Sequence, residues 1–142
     1  MEYTIALSDI AEESARQSIL KPLAEYSNSA GPSGSRPLVI EIRSKHGSVL
    51  GGFWGTTAYG WLFAQWLVVP EPLRGTGLSR TMMDLAERES IERGCVAAWL
   101  DTFEFQARGF YEKLGYVCFG ELENYPSGFS RFFMKKRFAA KG

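Results

Sequence analysis

Trp61 to Arg93 reads WLFAQWLVVPEPLRGTGLSRTMMDLAERESIER, and the fold turns on how this stretch is read. Its first part, Trp61 to Val69, is apolar except for Gln65. Such a density of Val, Leu, Phe and Trp suits a covered strand. Pro70 and Pro72 stop it, because neither can donate to a ladder. Arg74-Gly75-Thr76-Gly77-Leu78-Ser79-Arg80 follows, and a helix is expected from about Ser79 to Arg93, with Gly94 as its stop. Leu78, Met82, Leu85 and Ala86 would share its packed face, with Asp84–Arg88 and Glu89–Arg93 as i,i+4 pairs on the wet side. A helix N-terminus presents unpaired N–H groups and the positive end of the macrodipole. Glycines let the backbone come close to a ligand. Strand, glycine turn and helix therefore form an anion site, most often for phosphate, to which Arg74 and Arg80 add charge. A Walker loop and a dinucleotide fingerprint both need a glycine where Arg80 stands. On the residues alone the loop is either a phosphate site of another kind or a turn with two structural glycines.

The chain has 142 residues, enough for one domain, and 45% of them are hydrophobic. Sixteen basic and sixteen acidic residues cancel, so no global field favours nucleic acid or a membrane surface. No apolar run reaches membrane-spanning length, and Met1 to Asp9 lacks the apolar core of a signal peptide. A cytoplasmic protein is expected. Cys95 and Cys118 sit in apolar segments and read as buried free thiols. No His or further Cys lies near them, so no metal site is expected.

The remaining elements follow from pattern. Met1 to Leu7 alternates and reads as a first strand. Ile10 to about Tyr26 is helical, with a break or bend at Pro22. Ser27 to Pro37 is a loop by composition. Leu38 to Arg43 and Val49 to Tyr59 are strands joined by a turn that holds His46, the one histidine. Cys95 to Leu100 is a strand, and Asp101 to Leu114 a helix opened by an Asp101…Glu104 capping box. Tyr116 to Leu122 and Ser130 to Phe138 complete the set, and the basic tail to Lys141 reads as a solvated edge. The order implies an α/β fold: a mixed sheet of about seven strands with helices on both faces.

Two segments resemble the GNAT N-acetyltransferase superfamily. The loop is similar to that family's Arg/Gln-x-x-Gly-x-Gly/Ala, with Ser79 in the last small position. In TFEFQARGFYEKLGY, residues 102–116, Ala107, Tyr111, Glu112, Lys113, Leu114, Gly115 and Tyr116 match the family's second segment, while Glu104 stands where that pattern has Asn. The resemblance implies a GNAT-like splayed sheet and acetyl-CoA as co-substrate. It places pantetheine against the backbone of Leu67, Val68 and Val69, as an added strand. The pyrophosphate would lie on the N–H groups of Arg74, Gly75, Thr76, Gly77, Leu78, Ser79 and Arg80. Tyr111 would protonate the leaving thiolate. Phenol and thiol differ by about 1.5 pH units in reference pKa, so that transfer is close to balanced.

The acidic residue that relatives often carry in the fourth strand is Gln65 here, and Gln takes no proton. Glu104 is the best placed of the remaining acids, ahead of Glu71 and Asp101. The implied acceptor is a primary amine on a small molecule, peptide or protein. Trp54, Trp61, Trp66, Tyr26 and the loop Tyr125 to Phe129 are equally open to core packing and to an acceptor pocket. A homodimer stays open. So do two other functions: a non-catalytic acyl-CoA sensor on the same fold, and a nucleotide- or phosphate-binding interaction domain.

Overall fold

The computed structural model describes residues 1–30 and 34–139, with the side chains of 27–30 left aside. It divides into two compact units, Met1–Ser33 and Gly34–Gly142. The first unit contains one helix, α1 (Glu13–Ala30). Ser8 precedes it, its Oγ accepting from the Ile10 N–H at 3.0 Å. The strand expected over Met1 to Leu7 is not formed, since alternation alone supplies no pairing partner. Nor does the helix break at Pro22, which lies inside α1. One missing N–H costs a single ladder bond, and the turns on either side persist. The loop expected from Ser27 begins later, because α1 runs on to Ala30; residues 31–33 lie outside the described set, as does Lys141 of the basic tail.

The second unit is a sheet with two further helices. Its strands are β1 (Arg36–Arg43), β2 (Val49–Ala58), β3 (Trp61–Val68), β4 (Ala97–Phe103), β5 (Val117–Leu122) and β6 (Arg131–Arg137). They lie in the order β1-β2-β3-β4-β6-β5, six strands among the described residues rather than seven. Only β3 and β4 are parallel; every other neighbour is antiparallel. A crossover helix joins the parallel pair, α2 (Leu78–Glu92), reached through a 3-10 turn at Glu71–Leu73. The short α3 (Arg108–Lys113) lies between β4 and β5.

Helix α2 packs against β1, β2 and β3. Leu62, Met83, Ala86, Leu100 and Met134 are fully buried in the resulting core. Burying a Leu or Met side chain contributes roughly 1.5–3 kcal/mol, and the Ala86 methyl less. The packed face of α2 is Met82, Met83, Ala86, Glu87 and Ser90. Leu85, expected on that face, is half exposed instead. Glu87 belongs inside because it has partners there: its carboxylate accepts from the Tyr116 hydroxyl at 2.8 Å and from Lys136 Nζ at 2.7 Å. A buried carboxylate with both oxygens occupied is tolerated, whereas an unpaired one is expelled. Arg93 also reaches inward. Besides Glu89 at 3.3 Å, it bonds the Pro37 carbonyl at 3.0 Å and Thr57 Oγ1 at 3.1 Å, fastening the end of α2 to the first two strands.

The helix expected from Asp101 does not start there. Strand β4 continues to Phe103, and α3 starts only at Arg108. Asp101 and Thr102 stay in the ladder, opposite Phe133 and Phe132. The chain then turns on side chains rather than on a capping box. Gln106 Oε1 accepts from the Phe103 N–H at 3.0 Å, and Thr102 Oγ1 from the Ala107 N–H at 3.4 Å. Cys118, expected to be buried, is exposed on the outermost strand; Cys95 is buried, and both are free thiols.

Candidate functional site

The sheet opens at one defined place. Strands β3 and β4 pair from Trp61↔Ala97 to Ala64↔Leu100 and no further. The next residue of β3, Gln65, is left out of the β2 register, which passes from Trp54↔Trp66 to Gly55↔Ala64. Gln65 is thus the extra residue of a β-bulge, and a bulge bends its strand and increases its twist. Beyond it, Trp66, Leu67 and Val68 keep only β2 as neighbour. Their other edge is open backbone in the middle of a sheet. Asp101, the first residue of β4 past the split, stands on the opposite wall.

Glycines on β2 make this possible. A Cβ at Gly51 would stand 2.5 Å from the Val68 carbonyl oxygen, and one at Gly55 the same distance from that of Phe63. Strand β3 therefore sits closer to β2 than a side chain would allow.

The chain leaves β3 and turns directly into the glycine loop. Thr76 Oγ1 donates to the Leu73 carbonyl at 2.6 Å, and Arg74 Nε to the Val69 carbonyl at 3.2 Å. The first closes the loop on the 3-10 turn, and the second holds it to the end of the strand. Gly75 and Gly77 have φ of 78° and 83°, the left-handed region that glycine enters at no steric cost. Gly77 is the N-cap of α2 and offers no side-chain cap. The first ladder acceptor is its carbonyl, taken by the Thr81 N–H at 3.0 Å. The N–H groups of Leu78, Ser79 and Arg80 precede that bond and have no intrahelical acceptor. They border a cleft of about 270 Å³ that runs from Val69 and Leu73 along Arg74, Gly75, Gly77 and Arg80, with Phe110 of α3 as its far wall. Every residue expected at the loop except Thr76 borders this cleft; Thr76 braces it from behind. Leu67 and Val69 pack at the edge of the core, and Val68 is half exposed on the open strand.

Tyr111 lies on α3, half-buried. Its ring meets the edge of Phe110 at 5.1 Å between centroids and that of Tyr116 at 6.0 Å. Burial, and then the charge of Asp101, push its phenol up to about 12. Tyr111 therefore keeps its proton across the neutral range. Burial and the Glu87 carboxylate also raise the Tyr116 phenol.

The acids separate clearly. Glu104 is exposed and committed to a loop contact: its Oε2 accepts from the Ser130 N–H at 2.8 Å, while its own N–H donates to the Ser130 carbonyl at 2.8 Å. Asp101 is the acid beside Tyr111, and Arg131 bonds its Oδ1 through Nε at 2.8 Å and through Nη2 at 2.6 Å. Sequence reasoning treated Asp101 as a helix cap and missed this placement. The available signal was alternation, since Ala98, Leu100 and Thr102 are buried and Trp99, Asp101 and Phe103 fall between them. Among the described residues, no group of three or more His, Cys, Asp or Glu side chains is placed to hold a metal. None of the described helices is long and apolar enough to cross a membrane.

A sheet split beside a bulge, with a glycine loop and a helix N-terminus at the head of the split, is an arrangement suited to an extended ligand that carries an anionic group. The family model described as the Acetyltransferase (GNAT) family matches residues 5–116, and the chain belongs to that family. It is similar to an acetyltransferase of Agrobacterium fabrum, with 41% identity over 133 residues that cover 93% of this chain and 97% of that one. It is also similar to blasticidin-S acetyltransferase of Streptomyces morookaense, with 32% identity over 106 residues, 72% of this chain and 78% of that one. Among solved structures, a crystal structure of an acetyltransferase from Agrobacterium tumefaciens superposes with a TM-score of 0.91 at 40% identity, covering 96% of this chain and all of that one (100%). The family and these relatives make the protein an acyltransferase.

Proposed function

We propose that the protein transfers an acetyl group from acetyl-CoA to a primary amine on a small molecule. One observation carries the reading: pairing between β3 and β4 stops at Ala64, and the strand edge it leaves open leads straight to the unpaired N–H groups of the α2 N-terminus. The pantetheine amides pair with the open edge at Leu67 to Val69, as an added strand would. The pyrophosphate lies on the amides of Gly75 to Arg80, with Arg74 and Arg80 at the rim. A small-molecule acceptor follows the relative named for blasticidin S.

The amine nitrogen attacks the thioester carbon, the C–S bond breaks, and the thiolate leaves with a proton from Tyr111. A thiol at its ordinary value of about 8.5 and a phenol at about 12 are separated by about 3.5 pH units, more than the reference values give. Tyr111 therefore acts mainly as a fixed hydrogen-bond donor to sulfur as charge develops there, and full proton transfer follows only as the bond breaks. The amine nitrogen loses its proton to water, because Gln65 takes none, Glu104 is engaged with Ser130, and Asp101 is paired with Arg131 and only orients the amine.

An acetyl-CoA turnover screen over primary amines, read as released thiol, tests the proposal. Acceptors should show a kcat limb that rises with pH and follows the pKa of the amine supplied. A limb fixed across amines that vanishes in Glu104→Gln would make Glu104 the base. Binding of acetyl-CoA without turnover of any amine would reduce the protein to a sensor.

A further inference from the structure

Where β4 ends, the surface turns aromatic. Phe103 stacks on Phe105 at 5.3 Å between centroids and an angle of 10°, and on Tyr125 at 5.9 Å and 27°. Phe129 meets the edge of Phe105 at 5.2 Å. Phe103, Phe105, Asn124, Tyr125 and Pro126 line an open pocket of about 420 Å³. Phe105 and Tyr125 remain 58% and 46% exposed, so ring surface is left over after the stack is formed.

Arg131 connects the pocket to Asp101. The Arg131 guanidinium lies 5.3 Å from the Phe103 ring centre and 5.0 Å from that of Tyr125, and the same group bonds Asp101, whose charge acts on Tyr111. Asp101 and Phe103 are two residues apart on β4 and share a face, which puts them roughly 7 Å apart along the strand. Arg131 holds Oδ1 of Asp101, and the other carboxylate oxygen has no bond from a described residue.

We infer that this pocket selects the acceptor: it takes an amine joined by a short alkyl chain to a planar ring, the ring stacking on Phe105 and Tyr125 and the amino group reaching Asp101. The inference deepens the acetyl-transfer reading and rests on it for the place of the amine. A flat π-face and a positive amino group each have a partner here, the bare rings and the carboxylate. Two or three bonds between ring and nitrogen, with the ligand's own ring radius and a hydrogen bond of about 2.8 Å to the carboxylate added, span the Phe103–Asp101 spacing of roughly 7 Å.

Two amines of similar size and basicity isolate the stacking: 2-phenylethylamine, which is flat, and 2-cyclohexylethylamine, which is puckered and more apolar. Each is titrated calorimetrically into the protein saturated with CoA and into the free protein. The flat amine should bind about fivefold to tenfold tighter. Phe105→Leu and Tyr125→Leu should each shrink that preference, and the double variant should abolish it, with CoA affinity unchanged. Equal affinities in the wild type, or a preference that survives the double variant, overturn the inference. The acetyl-transfer reading fails separately. If CoA does not bind while the flat amine still binds preferentially to the free protein, the pocket stands and the transfer reading falls.

Discussion

In the acetyl-transfer mechanism proposed above, Tyr111 and Asp101 set the chemistry between them. Tyr111 needs its proton, and its surroundings keep it there: burial first, the Asp101 charge second, together up to about 12. Removing the hydroxyl in Tyr111→Phe keeps the ring and its contacts with Phe110 and Tyr116. General acid groups are typically worth about 10²–10⁴-fold. We expect kcat to fall on that scale, with acetyl-CoA affinity little changed. The sign of the pH effect follows from the raised value: the phenol is active while protonated, so its contribution is complete at neutral pH and is lost only as pH rises towards about 12. Asp101→Asn takes away one of the two causes and should bring that alkaline loss to lower pH. Rapid-quench rates across the alkaline range check both; wild-type turnover in Tyr111→Phe would assign the ring to packing alone. The motif singled out Tyr111 in sequence. Asp101 was not legible, because its place depends on Arg131, which is 30 residues away in the chain and meets it only across the β4–β6 pair.

Two elements meet at Gly77, which ends the glycine loop and opens α2 with φ at 83°. A Cβ added there would meet nothing within 4 Å, so the space lies open to solvent or ligand. Substitution strains the backbone all the same, at roughly 1–2 kcal/mol for a left-handed L-residue. Gly77→Glu adds a carboxylate at the amides that would receive pyrophosphate. Acetyl-CoA affinity should fall by more than 100-fold while the circular dichroism spectrum stays native. Gly77→Ala carries the strain without the charge and should lose far less. Equal losses in the two variants would mean that the loop geometry matters and the anion does not. The loop and α2 were legible because glycine, proline and helical periodicity are local signals. The end of β4 was misread because Asp101 and Glu104 have cap spacing, and only pairing with β6 decides against the helix. Leu85 was placed on the packed face for a similar reason: Glu87 is buried by Tyr116 and Lys136, neither of them on its helix, while Leu85 is half exposed.

For the sheet unit as a whole, the split is a weakness as well as a candidate site. Its β1–β3 half and its β4–β6 half are joined in the ladder only between Trp61↔Ala97 and Ala64↔Leu100, with α2 as the covalent crossover. Element order announced a mixed sheet, but no residue pattern announced where it would open: the bulge at Gln65 shows only in the β2 register. A ligand that adds itself as a strand to β3 supplies the ladder partner that β4 does not. Its binding should therefore stabilise the whole unit, by about 2.7 kcal/mol at a hundred times Kd, and raise Tm accordingly. The pattern of protection is more informative than its size. Hydrogen exchange with acetyl-CoA should slow the amides of Leu67 to Val69 as well as those of Gly75 to Arg80. Adenosine 3′,5′-bisphosphate lacks the pantetheine arm and the pyrophosphate, and should leave Leu67 to Val69 exchanging as in the free protein. Protection of the strand by acetyl-CoA alone would place the arm in the split. Protection confined to the loop with acetyl-CoA itself would mean that the arm runs elsewhere and that the open edge of β3 serves another purpose.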